Sequence, residues 1–229
     1  MSSTVRHQRH LRDQAQAGDP LALHELRKLA RRMTSQLRVL GAPGRVRRAW
    51  RDLRRAAGPL RDHDVTGPLI DRALQAVGVP ADARTALRAR WAARRQDLTA
   101  QLHLPDLPPP WPLRRVKRRR WKRARRRAWR DVRAAVPSRD GRTGAEAWHA
   151  WRRTLKAYRA VLELRADAPA GLRTLLEILG QLQDAEVLRG AARHPDLAPY
   201  RPALQAFALR VRREARHAAW AAWQTLESD

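Results

Sequence analysis

The sequence predicts an all-α protein built as two tandem four-helix bundles, and three observations support this prediction. Apolar residues recur at helical spacing along most of the chain. No stretch shows the sustained alternation of apolar and polar residues that is typical of a half-buried strand. Two sequence landmarks also occur twice, which indicates an internal duplication. A chain of 229 residues is long enough to bury a substantial core.

The two landmarks are repeated at nearly the same offset. The first is a histidine followed by basic residues, which begins at His24 and again at His149, an offset of 125 (149 minus 24). The second is the segment 58–65, which matches the segment 180–187 at an offset of 122. Two independent landmarks with nearly equal offsets indicate a duplicated unit of about 110 residues.

Start and stop signals divide each repeat into helices. Asp19 and Pro20 are the expected N-cap and first residue of the first histidine-bearing helix. The helices predicted in the first repeat, residues 1–104, cover 5–16, 20–40, about 45–60, a segment that follows Gly67 and Pro68 and ends near 76, and 81–102. A proline-rich joint, 105–112, follows. The second repeat, residues 113–229, is predicted to contain helices at 113–136, 145–166, from Pro169 onward and 203–226, with loops at 137–144 and 194–202.

The composition points to an anionic partner. The chain has 49 Lys and Arg against 22 Asp and Glu, a net charge of +27. Such a charge destabilises a compact fold by self-repulsion unless a polyanion is bound. Nucleic acid, an inorganic phosphate chain and an anionic membrane are the candidate partners. The absence of cysteine excludes disulfides, thiolate metal sites and a cysteine nucleophile.

Each histidine landmark is predicted to form a helix with an apolar back and a basic front. Residues three and four apart share a helix face, so the basic residues fall opposite the leucines and tryptophans. With few acidic residues nearby, we expect these fronts to lack the ion pairs of an ordinary exposed helix. The candidate anion-binding residues are His24, Arg27, Lys28, Arg31 and Arg32 on the first helix and His149, Arg152, Arg153, Lys156 and Arg159 on the second.

A third basic element is the arginine-rich helix that opens the second repeat. Arg119, Arg123, Arg126 and Arg130 share one face, opposite Trp121 and other apolar residues. Two interpretations stay open. The face is either a cationic surface that attracts anions without specificity, or it lies beside the histidine helices and widens one basic groove.

These residues resemble the CHAD domain family (conserved histidine α-helical domain) over essentially the whole chain. The family pattern is His-x-x-Arg-x-x-x-Arg/Lys on one helix and Leu-Gly-x-x-Arg/Asn-Asp-x-Asp/Glu-Val after the next, in duplicate. Thr34, Ala57, Ala157 and Ala160 depart from it. The matching residues are His24, Arg27, Arg31, Gly58, Arg61, Asp62, Asp64 and Val65, and then His149, Arg152, Lys156, Arg159, Gly180, Asp184, Glu186 and Val187.

The resemblance implies two bundles related by a pseudo-two-fold axis, with basic residues around a central channel or groove that binds inorganic polyphosphate. The Glu-x-Glu-x-Lys signature of the triphosphate-hydrolysing domain found in some relatives is absent. A nucleic-acid-binding protein that uses the same basic surface is the alternative. A phosphohydrolase and a membrane-surface protein are less favoured.

We expect no catalytic residues, no metal and no cofactor. His24 and Glu25 lack the second histidine of a zinc helix, because Lys28 occupies that position. Asp62, His63 and Asp64 could form a carboxylate metal site or an acid–base pair. The favoured interpretation is that Asp62, Asp64 and Asp184 are structural and hold neighbouring arginines. The polar first twelve residues and the lack of an apolar span favour the cytoplasm. The polyphosphate binding that the resemblance implies adds an expected association with polyphosphate granules.

Overall fold

The computed structural model describes residues 3–108, 116–138 and 143–228, and every regular element in these ranges is helical. The all-α prediction is therefore confirmed. The α-helices of the described residues are α1 (Ser3–Gln16), α2 (Pro20–Leu40), α3 (Gly44–Ala56), α4 (Gly58–Ala76), α5 (Ala81–Ala100), α6 (Arg118–Ala134), α7 (Ala145–Leu162), α8 (Ala170–Ala191) and α9 (Arg201–Ser228), and a 3₁₀ helix covers Pro195–Tyr200.

The limits of α2 follow directly from its end residues and confirm the prediction. The Asp19 carboxylate accepts a hydrogen bond of 2.7 Å from the Ala22 backbone N–H, and Pro20 is the first helical residue. At the other end Gly41 adopts a left-handed conformation, with φ of 68°. Its N–H bonds to the Arg38 carbonyl, which terminates the helix.

The prediction that Gly67 and Pro68 interrupt the chain is wrong, because α4 continues through both. A proline crowds the residue before it, chiefly through that residue's Cβ, and Gly67 has none. Trp91 of α5 occupies the space instead, with an indole atom 2.5 Å from where a Cβ of Gly67 would stand. Glycine thus allows the helix to contain a proline and α5 to pack closely against it.

Other predicted limits differ by a few residues. The helix α7 ends at Leu162 rather than at the predicted residue 166. The chain turns over the residues that follow, and Pro169, which would disrupt a helix interior, stands directly before α8. The predicted loop at 194–202 instead contains the 3₁₀ helix, and α9 begins two residues early at Arg201. Parts of three predicted elements, 109–112, 113–115 and 139–142, lie outside the described residues.

Contacts divide the chain into two compact units. The first comprises Met1–Pro68 and Asp82–Val116, and the second comprises Leu69–Ala81 and Lys117–Asp229. The proposed repeat limits at 105–112 stay a prediction. In the first unit α2 packs against α1 and α3. Leu104, which is buried, accepts a hydrogen bond from Arg12 through its carbonyl, and this anchors the segment after α5 to α1.

The core of the second unit is aromatic. Trp148 and Trp151 of α7 are buried and pack edge-on against each other, with ring centroids 5.8 Å apart. Trp223 of α9 meets Trp151 at 5.4 Å and Trp129 of α6 at 5.5 Å. The tryptophans of α7 therefore lie on its apolar face, as predicted, and a tilted or edge-on geometry suits aromatic pairs.

His63 of α4 is buried in the first unit. Its ring stacks on that of Trp91, with centroids 4.4 Å apart, and its Nε2 lies 3.0 Å from the Trp91 carbonyl oxygen. Burial lowers the pKa of His63, which the Trp91 carbonyl and Asp64 only partly oppose. The folded state thus favours the neutral ring.

We expect this burial to make folding sensitive to acid. Since the pKa of His63 is lower in the folded chain than in the unfolded one, its contribution is fully present above the unfolded value of 6.5 and is lost as pH falls through the folded value. Replacing His63→Gln keeps a donor near Nε2 and removes the titration. Urea unfolding between pH 7 and 5 should show a smaller loss of stability in the variant, and an equal loss in both proteins would contradict the assignment.

Candidate anion-binding site

The helices α2 and α7, here called the motif helices, have the two faces that the sequence predicts. Leu23 and Leu26 on α2 and Trp151 and Leu155 on α7 have no measurable exposure. On the other side of α2, His24 is exposed, and so are Lys28, Arg31 and Arg32. The apolar backs hold each motif helix in the core of its own unit, which leaves the basic fronts outward.

The prediction that these fronts lack acidic partners is wrong. Lys28 lies 3.1 Å from Glu25, Arg153 lies 3.0 Å from Glu146, and Arg159 lies 2.6 Å from Glu163. All three acids belong to α2, α7 or the turn after α7, so helical spacing brings them within reach. Exposed pairs of this kind contribute no more than about 1 kcal/mol, so a phosphate oxygen can replace the carboxylate.

Arg27 ties α2 to the turn between α3 and α4. Its guanidinium donates hydrogen bonds of 3.2 Å to the Ala57 carbonyl and 3.0 Å to the Gly58 carbonyl. The Asp62 carboxylate lies 3.3 Å from the same nitrogen. A Cβ on Gly58 would stand 3.4 Å from that nitrogen, which shows that the guanidinium lies directly against this residue. Arg27 is therefore held by two backbone carbonyls and one carboxylate of its own unit.

The same arrangement recurs in the second unit. The Arg152 guanidinium is 3.5 Å from where a Cβ of Gly180 would stand. Desolvation raises the pKa of Asp184, and the positive charges of Arg152, Arg72 and Lys156 oppose that rise. Desolvation likewise lowers the pKa of Arg152, which Asp184 counteracts. An arginine three residues after the histidine thus meets the glycine and the aspartate of the second landmark in both units.

The second acidic residue of each landmark holds an arginine on the last helix of its unit. Asp64 lies 2.6 Å from Nε of Arg95 on α5, and Arg95 also donates to the Gly18 carbonyl at 2.7 Å. Glu186 lies 2.8 Å from Arg212 on α9.

The carbonyl that Arg95 reaches has a counterpart in the second unit. Arg216 of α9 donates to the Thr143 carbonyl at 3.0 Å. Gly18 and Thr143 each stand two residues before the first residue of a motif helix. The start of both motif helices is therefore anchored to the last helix of the unit.

The two histidines have different neighbours. Desolvation and then the charge of Arg61 lower the pKa of His24, while Glu25 opposes them. His149 makes a short hydrogen bond through Nδ1 to the Gln183 side-chain oxygen. Arg61 and Gln183 correspond at the offset of 122, so a cation in one unit is replaced by a neutral amide in the other. The folded first unit therefore favours the neutral form of the His24 ring, because burial and Arg61 lower its pKa.

The structure adds cations that the sequence did not single out as site residues. Arg61 stands beside His24, Arg54 beside Arg27, and Arg72 beside Asp184. Arg61 was part of the second landmark, so its position was available from the pattern. Arg54 and Arg72 carried no such signal, because helical spacing identifies a face and not the element that faces it.

The four arginines predicted to share one face of α6 are all exposed, namely Arg119, Arg123, Arg126 and Arg130. The opposite side of α6 packs on α7, where the Trp121 indole N–H donates to the Val161 carbonyl at 2.9 Å and Trp129 contacts Tyr158. The face is thus cationic and open. A groove shared with His149, Arg152 and Lys156 stays a prediction.

The landmark segment Asp62, His63, Asp64 does not converge on one point. Asp62 turns to Arg27, His63 is buried against Trp91, and Asp64 turns to Arg95. Within the described ranges no group of three or more His, Cys, Asp and Glu side chains is placed to hold a metal ion. Across those same ranges no helix has the length and apolar character needed to cross a membrane.

The chain is thus a basic all-α protein in which one arrangement of His, Arg, Gly and Asp residues occurs in both units. The model of the CHAD domain family matches residues 3–193, so the chain is a member of the CHAD domain family. The match includes both motif helices and both landmarks, and α9 lies beyond it. No curated protein and no solved structure matches the chain significantly.

We expect Arg27 to be needed for stability as well as for charge. Replacing Arg27→Met leaves the Ala57 and Gly58 carbonyls without their charged donor, which should lower the free energy of unfolding by about 1–3 kcal/mol. Arg32→Met removes the same charge from an exposed position of the same helix. Urea denaturation should show a clear loss for Arg27→Met and almost none for Arg32→Met, and equal effects would refute the assignment.

Proposed function

We propose that this protein binds inorganic polyphosphate without catalysing its turnover, through the basic clusters at the motif helices. The observation that carries the proposal is a recurrence in each unit: an arginine lies beside the glycine and aspartate of the second landmark, and a histidine lies beside the residue that precedes that aspartate. Membership in the CHAD domain family, which is known for polyphosphate binding, supports it.

The charge balance of each cluster favours a phosphate ligand. In the first unit His24, Arg27, Arg54, Arg61 and Arg31 gather near the carboxylates of Asp62 and Glu25. The cations outnumber the acids, and the excess is available to an oxyanion. Guanidinium groups donate two parallel hydrogen bonds to phosphate oxygens, and a protonated histidine adds another donor.

In the second unit the proposed contacts are His149, Arg152 and Lys156, with Arg72 as a neighbour of the same carboxylate. Arg153 and Arg159 would contribute after exchanging their glutamate partners for phosphate. The exposed arginines of α6 would attract the chain at longer range, a contribution that salt screens strongly. Asp62, Asp64 and Asp184 would act indirectly, by orienting arginines.

Nucleic acid is the competing ligand for the same surface. Proteins that bind single strands usually offer exposed aromatic rings on which bases stack. On α7 the rings of Trp148 and Trp151 are buried in the core instead. This arrangement favours a ligand that is recognised by its phosphates alone.

A competition experiment separates the two ligands. Labelled long-chain polyphosphate is titrated with unlabelled polyphosphate, duplex DNA and single-stranded DNA at matched ionic strength. We expect polyphosphate to compete at least about tenfold better per phosphate than either DNA, with an affinity that falls steeply as salt rises. Equal competition per phosphate would mean a non-specific polyanion surface.

A matched pair of variants locates the binding site. The double variant Arg31→Gln, Lys156→Gln removes two cations from the proposed clusters, and Arg90→Gln, Arg193→Gln removes two exposed cations elsewhere in the same units. We expect the first pair to weaken polyphosphate binding by about tenfold or more and the second to have a much smaller effect. Similar losses in both would reject the motif helices as the site.

The histidine next to Arg61 gives a second, independent readout. Because neighbouring cations and burial lower the pKa of free His24, a bound polyanion should raise it. Affinity for polyphosphate should therefore be highest below the pKa of free His24, and it should decline as pH rises through the higher pKa of the bound form. NMR titration of His24 with and without polyphosphate measures the shift, and an unchanged or lowered pKa would exclude His24 from the site.

A further inference from the structure

A groove runs along α9 in the second unit and is open to solvent. Its volume is about 370 Å³, which lies within the range of small-molecule sites. Leu209, Arg213, Arg216, His217 and Trp220 line it at helical spacing, so they share one face of α9. From 209 to 220 this face extends about 17 Å. The groove can therefore accommodate one elongated small molecule.

Three of the lining residues give the groove an apolar part. Trp148 of α7 and Trp220 of α9 meet with ring centroids 6.1 Å apart, and both line the groove. Leu209 is 50% exposed, which is unusual for a large apolar residue of this chain. Tryptophan rings bind flat apolar groups well, because their faces offer a large rigid area. This part of the groove is suited to a planar ring.

Three arginines and a histidine form the other part of the groove, together with Ser138 and Thr143. Arg216 stands 5.5 Å from the centroid of the Trp148 ring and donates to the Thr143 carbonyl. Arg213 and His217 are exposed beside it. The nearby Glu186 interacts with both Arg189 and Arg212, so one carboxylate serves two arginines. A surplus of positive charge consequently lies next to the apolar part of the groove.

We propose that this groove binds a nucleoside phosphate, with the base against Trp220 and Leu209 and the phosphate at Arg213, Arg216 and His217. An inorganic phosphate chain has no apolar group to occupy the tryptophan side, whereas a nucleotide has both a planar ring and an anionic end. The residues from α9 lie outside the family match. Trp148 and Arg216 also line a small cavity beside His149 and Arg152, so the groove adjoins the basic cluster of the second motif helix.

The test compares two ligands that differ only in the base. Adenosine monophosphate and ribose 5-phosphate carry the same phosphate, so their charge is matched. By isothermal titration calorimetry at moderate salt, we expect adenosine monophosphate to bind the full chain about tenfold tighter or more, the factor that stacking of one base supplies. Equal affinities would reduce the groove to an anion site and overturn the proposal.

Variants then tie the difference to the groove. Leu209→Glu places a negative charge among the lining residues, at an exposed position where folding should be unaffected. Leu21→Glu makes the same change at an exposed leucine of α2 and is the control. We expect the first to abolish the preference for adenosine monophosphate and the second to preserve it. A preference that survives Leu209→Glu would refute the location.

The polyphosphate assay keeps the two proposals distinguishable. Leu209→Glu should change polyphosphate affinity no more than Leu21→Glu does, since both add one negative charge. Conversely, Arg31→Gln should weaken polyphosphate binding and leave the nucleotide preference intact. Loss of nucleotide binding in Arg31→Gln would contradict a separate groove site.

Discussion

The interaction on which each unit depends is the contact between an arginine of the motif helix and the turn that precedes the second landmark. Arg27 donates to the Ala57 and Gly58 carbonyls, which lie where α3 ends and α4 begins. The Ala57 carbonyl follows the last turn of α3, where carbonyls lack intrahelical partners, and the Gly58 carbonyl belongs to the first residue of α4. One guanidinium nitrogen donates to both. This contact fixes where α2 crosses the α3–α4 junction, and therefore where His24 and Arg61 meet.

The sequence predicted much of this because the arrangement depends on residue types at fixed spacing. The repeat, the two faces of the motif helices and the capping of α2 by Asp19 all follow from periodicity and local end signals. The path of α4 through Pro68 did not, since it depends on Trp91 filling the space beside Gly67. That contact joins residues 24 positions apart and cannot be inferred from helical spacing.

The sequence likewise predicted only part of the candidate site. The basic residues on each front follow from the pattern, whereas their ion pairs and the cations that arrive from other helices do not. Glu146 reaches Arg153 across two turns, and Arg72 approaches Asp184 from α4. The groove along α9 could not be predicted from the repeat, because Arg213 and Arg216 belong to neither landmark. Long side chains and tertiary neighbours decide these features.

The two units differ in how their last helix is anchored, and the difference bears on robustness. In the first unit Arg95 alone bridges Asp64 and the Gly18 carbonyl, so losing one side chain severs two attachments. In the second unit Arg212 and Arg216 divide these tasks between them. Losing either of these arginines leaves the other attachment of α9 in place. A single substitution at Arg95 therefore removes both attachments of α5 described above, whereas no single substitution at Arg212 or Arg216 does the same to α9.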